Sequence, residues 1–570
     1  MKTRYIVPLL LFCLFACMAC EDDKTEMPRL FRPSFIASSC FAEDNTITLA
    51  WRTSGEATSY TVELSQDATF QSEKLETQTV EHGKCVFTNL RYETKFYARV
   101  RANNESLAIT SNWTEMGSSI STLSRTIPKI LYAVEGSRIS EASVEIKWVV
   151  SEKNPVDGLA IWEEGTTEER QISLENASAG QYTITGLTPR TTYYVALTNS
   201  AAPEGAEKYN QQRFTTAGMP ADAVVVEDGV DLMDKIKAGM TDASKQALVF
   251  QLKNGVDYYL TAGGEVAAKT GDIKLTKSIA LLANPGERPT LYIREGCFNV
   301  KPESGNMPDI EYFVVDNVNI KETWTDSKPS KGSKTRLLNI GKHDAGTDFT
   351  IDRFEITNSD IVLPSVLMMS DASEGVTTIN HIRIDNCLVS GINTSAVTKQ
   401  FGFIHAINKG SNVWNDVSVT NSTFYEFYIS PGVFGAPTAN VPIAAGNKVV
   451  ISNCTFYNWG SNKDGKNTYR AVGNFSKLTA PLNLSVNNCV FGSSESKVLD
   501  AGGINLDSKG NYCTSDFEKM SDAGLTLISL DTDDASLFRN IEENDFTVID
   551  AESVIYKSEY GDPRWITVLD

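Results

Sequence analysis

Six stretches of the C-terminal half share a short pattern built around an asparagine. In each, an apolar residue lies two positions before the asparagine and another lies three positions after it. The six are Asn317, Asn358, Asn386, Asn421, Asn453 and Asn488. Their successive spacings are 41, 28, 35, 32 and 35 residues. A strand that recurs at drifting intervals predicts stacked coils with variable loops, because each coil buries its apolar face only against the next.

The residue types at these positions suit a parallel β-helix. Asparagine tolerates the left-handed backbone of a tight corner, and stacked asparagine amides form hydrogen-bonded ladders. The residue after the asparagine is small in five coils, as a tight interior corner requires: Ser359, Cys387, Ser422, Cys454 and Cys489. After Cys20 the cysteines are odd in number and form no CxxC pair, so we expect free buried thiols.

A second repeat, with an offset of 97 residues, organises the N-terminal half. The matched positions are Ile47, Leu49 and Trp51 with Val144, Ile146 and Trp148, then Leu90 with Leu187, Thr94 with Thr191 and Tyr97 with Tyr194. The tryptophan and the later L-x-x-x-T-x-aromatic run resemble the fibronectin type III fold, whose tyrosine corner lies in that run. The second copy keeps this tyrosine at Tyr193, whereas the first has Phe96.

The first twenty residues resemble a bacterial lipoprotein signal, with a short apolar segment that ends in cysteines. Two cysteines compete as the lipidation site. Cys17 has the better-placed leucine before it, whereas Cys20 is followed by Glu21–Lys24, which resembles the acidic export tag of surface lipoproteins. We favour Cys20.

The predicted fold class is therefore all-β. Two tandem fibronectin type III-like sandwiches precede a parallel β-helix, which begins with a short cap helix carrying Leu232 and Ile236 on one face. The predicted divisions are signal peptide 1–20, linker 21–32, first sandwich 33–124, second sandwich 125–217 and β-helix 218–570. The sandwiches gather no catalytic constellation, so we interpret them as spacers and interaction modules.

The C-terminal half resembles the pectin-lyase-like right-handed β-helix, and this resemblance implies that the parallel β-helix is right-handed. Together with the signal, the sandwiches and the terminal "SEYGDPRW" (558–565), the arrangement is similar to surface lipoproteins of uncharacterised function from polysaccharide-utilisation systems. The resemblance implies an outer-membrane, cell-surface location through the N-terminal lipid. It also implies a polysaccharide or oligosaccharide ligand, pectin-like in type, and a partner transporter in the outer membrane.

Charge narrows the choice of partner. The chain has 72 Asp and Glu residues against 52 Lys and Arg, a net charge of −20. Phosphate backbones need a basic surface, so the balance argues against a nucleic-acid partner. A polyanionic glycan would also be repelled unless a local basic patch or a bound calcium ion compensated.

Strand alternation predicts one charged flank on the β-helix. Its residues are Arg353, Glu355, His381, Arg383, Asp385, Asp416 and Lys448. Such a flank fits a solvated surface, a sugar contact through Arg353, His381 and Arg383, or a lyase site. In a lyase, Arg383 or Lys448 would abstract a proton from a uronic acid while Asp385 and Asp416 held calcium.

Aromatic residues near the repeats are the other candidates for sugar binding. They are Trp414, Tyr425, Phe427, Tyr457 and Trp459, which either stack on sugar rings or pack between loops. Phe424 and Phe456 are predicted to be core. The first hypothesis is a non-catalytic glycan-binding surface protein; the alternatives are a polysaccharide lyase and a structural or adhesive surface protein.

Overall fold

The computed structural model describes residues 29–569, apart from 261–269, 295, 323–335, 345, 363–365, 371–374, 392–400, 407–410, 429–431, 436–447, 461–468, 476–481, 501–503 and 519–524. The predicted signal peptide, with Cys17 and Cys20, lies outside the described residues, as does 21–28 of the linker. In the part of the chain that is described, every helix is too short or not apolar enough to span a bilayer.

The first sandwich consists of two antiparallel sheets around a shared apolar core. One sheet contains Ser34–Phe35, Phe41–Glu43, Thr46–Arg52 and Lys84–Phe87. The other contains Ser59–Ser65, Glu76–Val80, Lys95–Asn104, Ile109–Thr110, Thr114–Glu115 and Ile120–Ser121. Trp51 is buried between them against Tyr60, with ring centroids 5.5 Å apart. Phe96 is buried as well.

The second sandwich repeats this plan. Strands Ser143–Lys147 and Gln181–Thr185 form one sheet, and the other contains Gly158–Glu163, Arg170–Ser173, Thr192–Thr198 and Lys208–Thr215. Trp148 is buried in its core. The hydroxyl of Tyr193 accepts a hydrogen bond from the backbone N–H of Thr188 at 3.0 Å. The tyrosine corner predicted for this copy is therefore confirmed.

The chain divides into two compact units, and their boundary does not follow the sandwiches. One unit comprises the residues up to Thr126 together with Asn199–Glu207. The other comprises Ile127–Thr198 and Lys208–Asp570, so most of the second sandwich belongs to the same unit as the β-helix. The interpretation of the sandwiches as spacers and interaction modules stays a prediction.

The β-helix is built from three parallel sheets to which successive coils contribute one strand each. The first sheet contains Val224–Val226, Ala247–Leu252, Lys277–Leu282, Asp309–Asp316, Asp348–Thr357, Val376–Asp385, Ser411–Thr420, Lys448–Ser452, Leu482–Asn487 and Ile504–Lys509. The second contains Asp257–Tyr259, Thr290–Ile293, Asn319–Glu322, Asp360–Val362, Leu388–Val389, Thr423–Tyr425, Thr455–Tyr457, Val490–Phe491, Tyr512–Cys513 and Ile528–Ser529. The third contains Gly271–Lys274, Gly296–Val300, Arg336–Ile340, Val366–Ser370, Ile404–Ala406, Phe434–Gly435, Arg470–Asn474 and Lys497–Asp500.

The repeated asparagines form the corner between the first and second sheets. All six have φ between +50° and +58°, the left-handed conformation that their residue type predicted. Their side chains are half-buried, and the small residue that follows is the interior one. Asn386 donates to Asn358 at 2.8 Å, but Asn358 donates to Asp316 and Asn421 to Asp385. The ladder thus contains carboxylates as well as amides.

Inside the coils, similar side chains stack in columns. The rings of Phe424, Phe456 and Phe491 lie parallel at 5.1 Å intervals between centroids. Cys387 and Cys454 are free and fully buried. The predictions of core phenylalanines and of buried free thiols are confirmed at these positions.

Both ends of the β-helix carry covering segments. The cap helix Leu232–Thr241 buries Leu232 and Ile236, as predicted. After the last coil, the helices Asp534–Leu537 and Val554–Ser558 and the hairpin of Phe538–Asn540 with Asp545–Val548 form a C-terminal segment with its own apolar cluster. Tyr425 and Tyr457 of the second sheet pack against this apolar cluster.

Candidate functional site

The predicted charged flank separates into two rows on the first sheet. The register of the strands aligns Arg353, His381, Asp416 and Lys448 in one row. All four are exposed, and the His381 Nδ1 lies 3.4 Å from an Asp416 carboxylate oxygen. Arg353 lies over the Tyr312 ring, 5.3 Å from its centroid. This row is a solvated surface.

The second row lies two to four residues further along the same strands, faces the second sandwich and contains Glu355, Arg383 and Asp385. Arg383 Nη2 lies 3.0 Å from Asp385 Oδ2 and 3.6 Å from Glu164 Oε2 of the sandwich. Arg213 of the sandwich completes the cluster, with its Nη2 3.1 Å from Asp385 Oδ2 and its Nε 2.7 Å from Glu164 Oε1. Two arginines and two carboxylates thus join the sandwich to the β-helix.

Asp385 is the most buried member of this cluster, with 2% of its surface exposed. Burial by itself opposes its ionisation. The charges of Arg213 and Arg383 and the hydrogen bonds donated by Thr420 and Asn421 outweigh burial, and they hold the pKa of Asp385 below its usual value. The carboxylate is therefore committed to the contact between the two domains.

A cleft of about 450 Å³ lies beside this cluster, between the sandwich and the first sheet. It is lined mainly by polar groups, among them four arginines and two carboxylates: Arg190, Arg213, Arg288, Arg383, Asp316 and Glu355. Asp316 accepts hydrogen bonds from Thr357 and Asn358, so it is held by the next coil. A polar cleft rich in hydrogen-bond donors suits a hydroxylated or anionic ligand better than an apolar one.

Close backbone contacts hold one side of this cleft. A Cβ on Gly136 of the sandwich would lie 2.5 Å from the backbone nitrogen of Gly286 in the β-helix. Gly218, where the chain leaves the sandwich, donates its N–H to the Asn284 side chain at 2.9 Å. Because any larger residue at Gly136 would force the domains apart, these contacts fix the width of the cleft.

A second cleft, of about 380 Å³, lies on the other side of Arg213 along the corner of the β-helix. Asn386, Asn421 and Asn453 line it, together with Arg564 from the terminal "SEYGDPRW". Arg564 donates to the Asn386 side-chain oxygen at 2.9 Å. This stretch therefore packs against the ladder of corner side chains.

Three of the five aromatic candidates are core residues, which corrects their prediction as sugar-stacking groups. Trp414 is 3% exposed, and Phe427 and Trp459 are fully buried. The Trp459 indole donates to the Lys497 carbonyl at 2.9 Å inside the β-helix. Phe427 and Trp459 point inward because the residues after the asparagine turn back into the coil, so alternation along the strand does not extend to them. Trp414 lies before the asparagine, on the strand Ser411–Thr420, where it aligns with the buried Ile379 of the preceding coil.

Tyr425 and Tyr457 lie on the outside of the second sheet, half-buried. Both pack against Phe546 of the C-terminal segment, with centroid distances of 5.5 and 5.3 Å. Their outward direction agrees with the prediction, but this segment occupies the faces that a sugar would stack on. The two tyrosines therefore fit the alternative interpretation, in which the aromatic residues pack against a neighbouring part of the chain.

The predicted lyase residues are not brought together. Asp416 aligns with His381 on the neighbouring strand. His381 lies four residues before Asp385 on that strand, so Asp416 and Asp385 are separated by roughly 13 Å along the strand direction. Asp385 is held between two arginines, and this arrangement does not fit a calcium ligand. Among the described residues, no three His, Cys, Asp or Glu side chains converge as a metal site would require. The pairing of Asp385 and Asp416 around calcium is therefore wrong.

Sequence reasoning missed the sandwich half of the cleft. It found Arg383 and Glu355 from the β-helix, but not Glu164, Arg190 or Arg213. The one available signal was a difference between the two sandwich copies: Arg190 takes the place of Glu93 at an offset of 97 residues.

Comparison with known proteins gives a partial match. Residues 449–565 match a family described as a domain of unknown function, DUF5123. The matched range covers the last coils and ends at the last residue of the terminal stretch 558–565. Among curated proteins, none matches this chain.

Solved structures of fibronectin type III domains match part of the chain. The FN1–FN3 domains of chicken CNTN1 share 16% identity over 34% of this chain and 69% of that chain, with a TM-score of 0.16. A segment of two fibronectin type III domains from chicken tenascin shares 16% identity over 33% of this chain and 100% of that chain, with a TM-score of 0.19. The assignment of the sandwiches here rests on their own strand order, cores and tyrosine corner.

Proposed function

We propose that this protein is a non-catalytic, cell-surface glycan-binding protein. In this proposal the lipidated Cys20 anchors it to the outer membrane, and the cleft between the second sandwich and the β-helix binds an oligosaccharide of plant type. A transporter in the same polysaccharide-utilisation system would receive the captured glycan.

One observation carries the proposal: the polar cleft of about 450 Å³ whose two walls are fixed to each other. Sugars are recognised by many oriented hydrogen bonds, and a site held in its binding geometry loses little entropy when it captures a flexible chain. The threonine pair at the end of two sandwich strands adds to this wall, with the Thr192 and Thr215 hydroxyls hydrogen-bonded at 2.9 Å.

Affinity electrophoresis of the full chain on a panel of plant and host polysaccharides tests the proposal. We expect retardation on at least one pectin-type glycan. The variant Thr215→Trp, which fills the cleft, should lose about tenfold or more in affinity because the ligand would be sterically excluded. Thr183→Trp is the matched control, since Thr183 is exposed on the other sheet of the same sandwich and does not line the cleft.

The outcomes separate the hypotheses. Retardation that Thr215→Trp abolishes and Thr183→Trp leaves intact supports the proposed site. Equal binding by both variants would remove the cleft as the site, and migration unchanged on every glycan would favour a structural or adhesive protein instead.

A further inference from the structure

The arginines of the cleft differ in how their charge is used. Arg213 and Arg383 share Glu164 and Asp385, as described above. Arg288 Nη1 lies 2.8 Å from Asp360 Oδ1. Each of these three guanidinium groups is already neutralised by a carboxylate of the protein, so they contribute shape and hydrogen bonds more than net charge.

Arg190 is different. Its side chain is exposed and lines the cleft, and its guanidinium Nη1 lies 3.8 Å from the sulfur of Met219. Among the described residues, no carboxylate oxygen lies within 4.0 Å of it. In a chain with a net charge of −20, a guanidinium that faces a polar cleft without an acidic partner is a position where an anion is stabilised instead of repelled.

The backbone at Arg190 shows that its charge is not needed for folding. Arg190 has φ +52°, and its N–H donates to the Ala217 carbonyl. The equivalent residue of the first sandwich, Glu93, has φ +49° and donates its N–H to the Leu123 carbonyl. The same turn therefore accepts either sign of charge, and the arginine is present in the copy that lines the cleft.

From these observations we infer that Arg190 binds the anionic group of an acidic oligosaccharide directly, without a bridging metal ion. The inference rests on the proposed glycan-binding function and names its ligand class. A guanidinium presents parallel N–H donors that match the two oxygens of a carboxylate or the oxygens of a sulfate. Because the protein itself supplies the positive charge, calcium is not required to overcome the net negative charge of the chain.

Titration calorimetry on the full chain in EDTA tests this inference. The probes are an oligogalacturonate, its fully methyl-esterified form and a sulfated oligosaccharide of similar length. We expect an acidic probe to bind about tenfold or more tightly than the ester, since a charge-assisted hydrogen bond is lost on esterification. The two acidic probes distinguish a uronate from a sulfate ligand.

Arg190→Glu is the decisive variant, because the first sandwich already carries glutamate in this turn. It should reduce binding of the acidic probe by about tenfold to a hundredfold more than it reduces binding of the ester. Lys153→Glu, in an exposed loop of the same sandwich, changes the net charge equally and should have little effect.

Three results would overturn the inference while leaving glycan binding intact: equal affinity for acid and ester, loss of binding in EDTA, or equal losses in the two variants. Absence of binding to every probe, together with no retardation on the polysaccharide panel, would instead remove the proposed function itself.

Discussion

Asp385 shows how one side chain can serve the β-helix and the sandwich at once. Along the β-helix its carboxylate accepts hydrogen bonds from Thr420 and Asn421 of the next coil, at 2.7 and 2.8 Å. Across the domain boundary it pairs with Arg213, whose own pKa is raised because the hydrogen bond to Glu164 and the charge of Asp385 outweigh the effect of burial. The residue thus couples corner geometry to domain attachment.

We predict that Asp385→Asn lowers the free energy of unfolding of the unit containing the β-helix by about 3 kcal/mol at pH 7. Removing Asp385 from this buried cluster leaves the guanidinium groups of Arg213 and Arg383 to share the single carboxylate of Glu164. Since the folded-state pKa of Asp385 lies below its unfolded value, its contribution is complete above about pH 4 and is lost as the pH falls through the folded pKa. Urea denaturation at pH 7 and pH 3 measures both effects.

Asp416→Asn is the control for this experiment. Asp416 lies on the neighbouring strand, but its side chain is 64% exposed and pairs only with His381 among the described residues. Its substitution should change stability by less than about 0.5 kcal/mol. A difference between wild type and Asp385→Asn that did not shrink in acid would contradict the assigned role of the carboxylate.

The sequence alone predicted which charged residues of the first sheet point outward, but not which of them contact the second sandwich. Alternation predicted that Arg353, Arg383 and Lys448 point outward, and all three are exposed or half-exposed. It could not separate the solvated row from the covered one, because the covering residues Glu164 and Arg213 lie more than 150 positions earlier in the chain. Tertiary contacts of that kind leave no periodic signal.

The corner between the first and second sheets is the element on which the β-helix depends. Its position was predictable because the left-handed backbone restricts the residue type, and because each coil repeats the same restriction. The partners of the ladder were less predictable. Asp316 and Asp385 precede Asn317 and Asn386 directly, yet each accepts from the asparagine of the next coil instead.

Asn386 allows the two roles of a corner asparagine to be separated. Asn386→Gly keeps the left-handed backbone but loses the hydrogen bonds to Asn358 and Arg564. Asn386→Ala loses these bonds and also strains the backbone at φ +55°. We predict that the alanine variant is less stable than the glycine variant by about 1 kcal/mol, as measured by urea denaturation.

The order of stability is the informative result. Wild type should exceed Asn386→Gly, because hydrogen bonds are lost, and Asn386→Gly should exceed Asn386→Ala. An alanine variant as stable as the glycine variant would show that the corner does not impose the left-handed conformation.

On the scale of the whole molecule, the C-terminal stretch connects parts of the chain that are far apart in sequence. Glu559 forms an ion pair with Lys129, which lies at the start of the second sandwich. The Trp565 indole donates to the Thr423 hydroxyl at 2.7 Å on the second sheet of the β-helix. Asp562 is fully buried and accepts from the same hydroxyl at 2.8 Å. The final residues therefore contact both the second sandwich and the β-helix.

We predict that ending the chain before Glu559 destabilises the second sandwich and the β-helix together. The deletion removes the ion pair to Lys129, the hydrogen bond from Arg564 to Asn386 and the buried side chain of Ile566. In calorimetry of the full chain, the transition of this unit should fall by on the order of 5 °C, whereas the transition of the first sandwich, which has its own core, should not move. Glu552→Ala, which removes a largely exposed carboxylate of the same segment, is the control and should shift neither transition. If the truncated chain melted at the wild-type temperature, the terminal stretch would not stabilise the contact between the β-helix and the second sandwich.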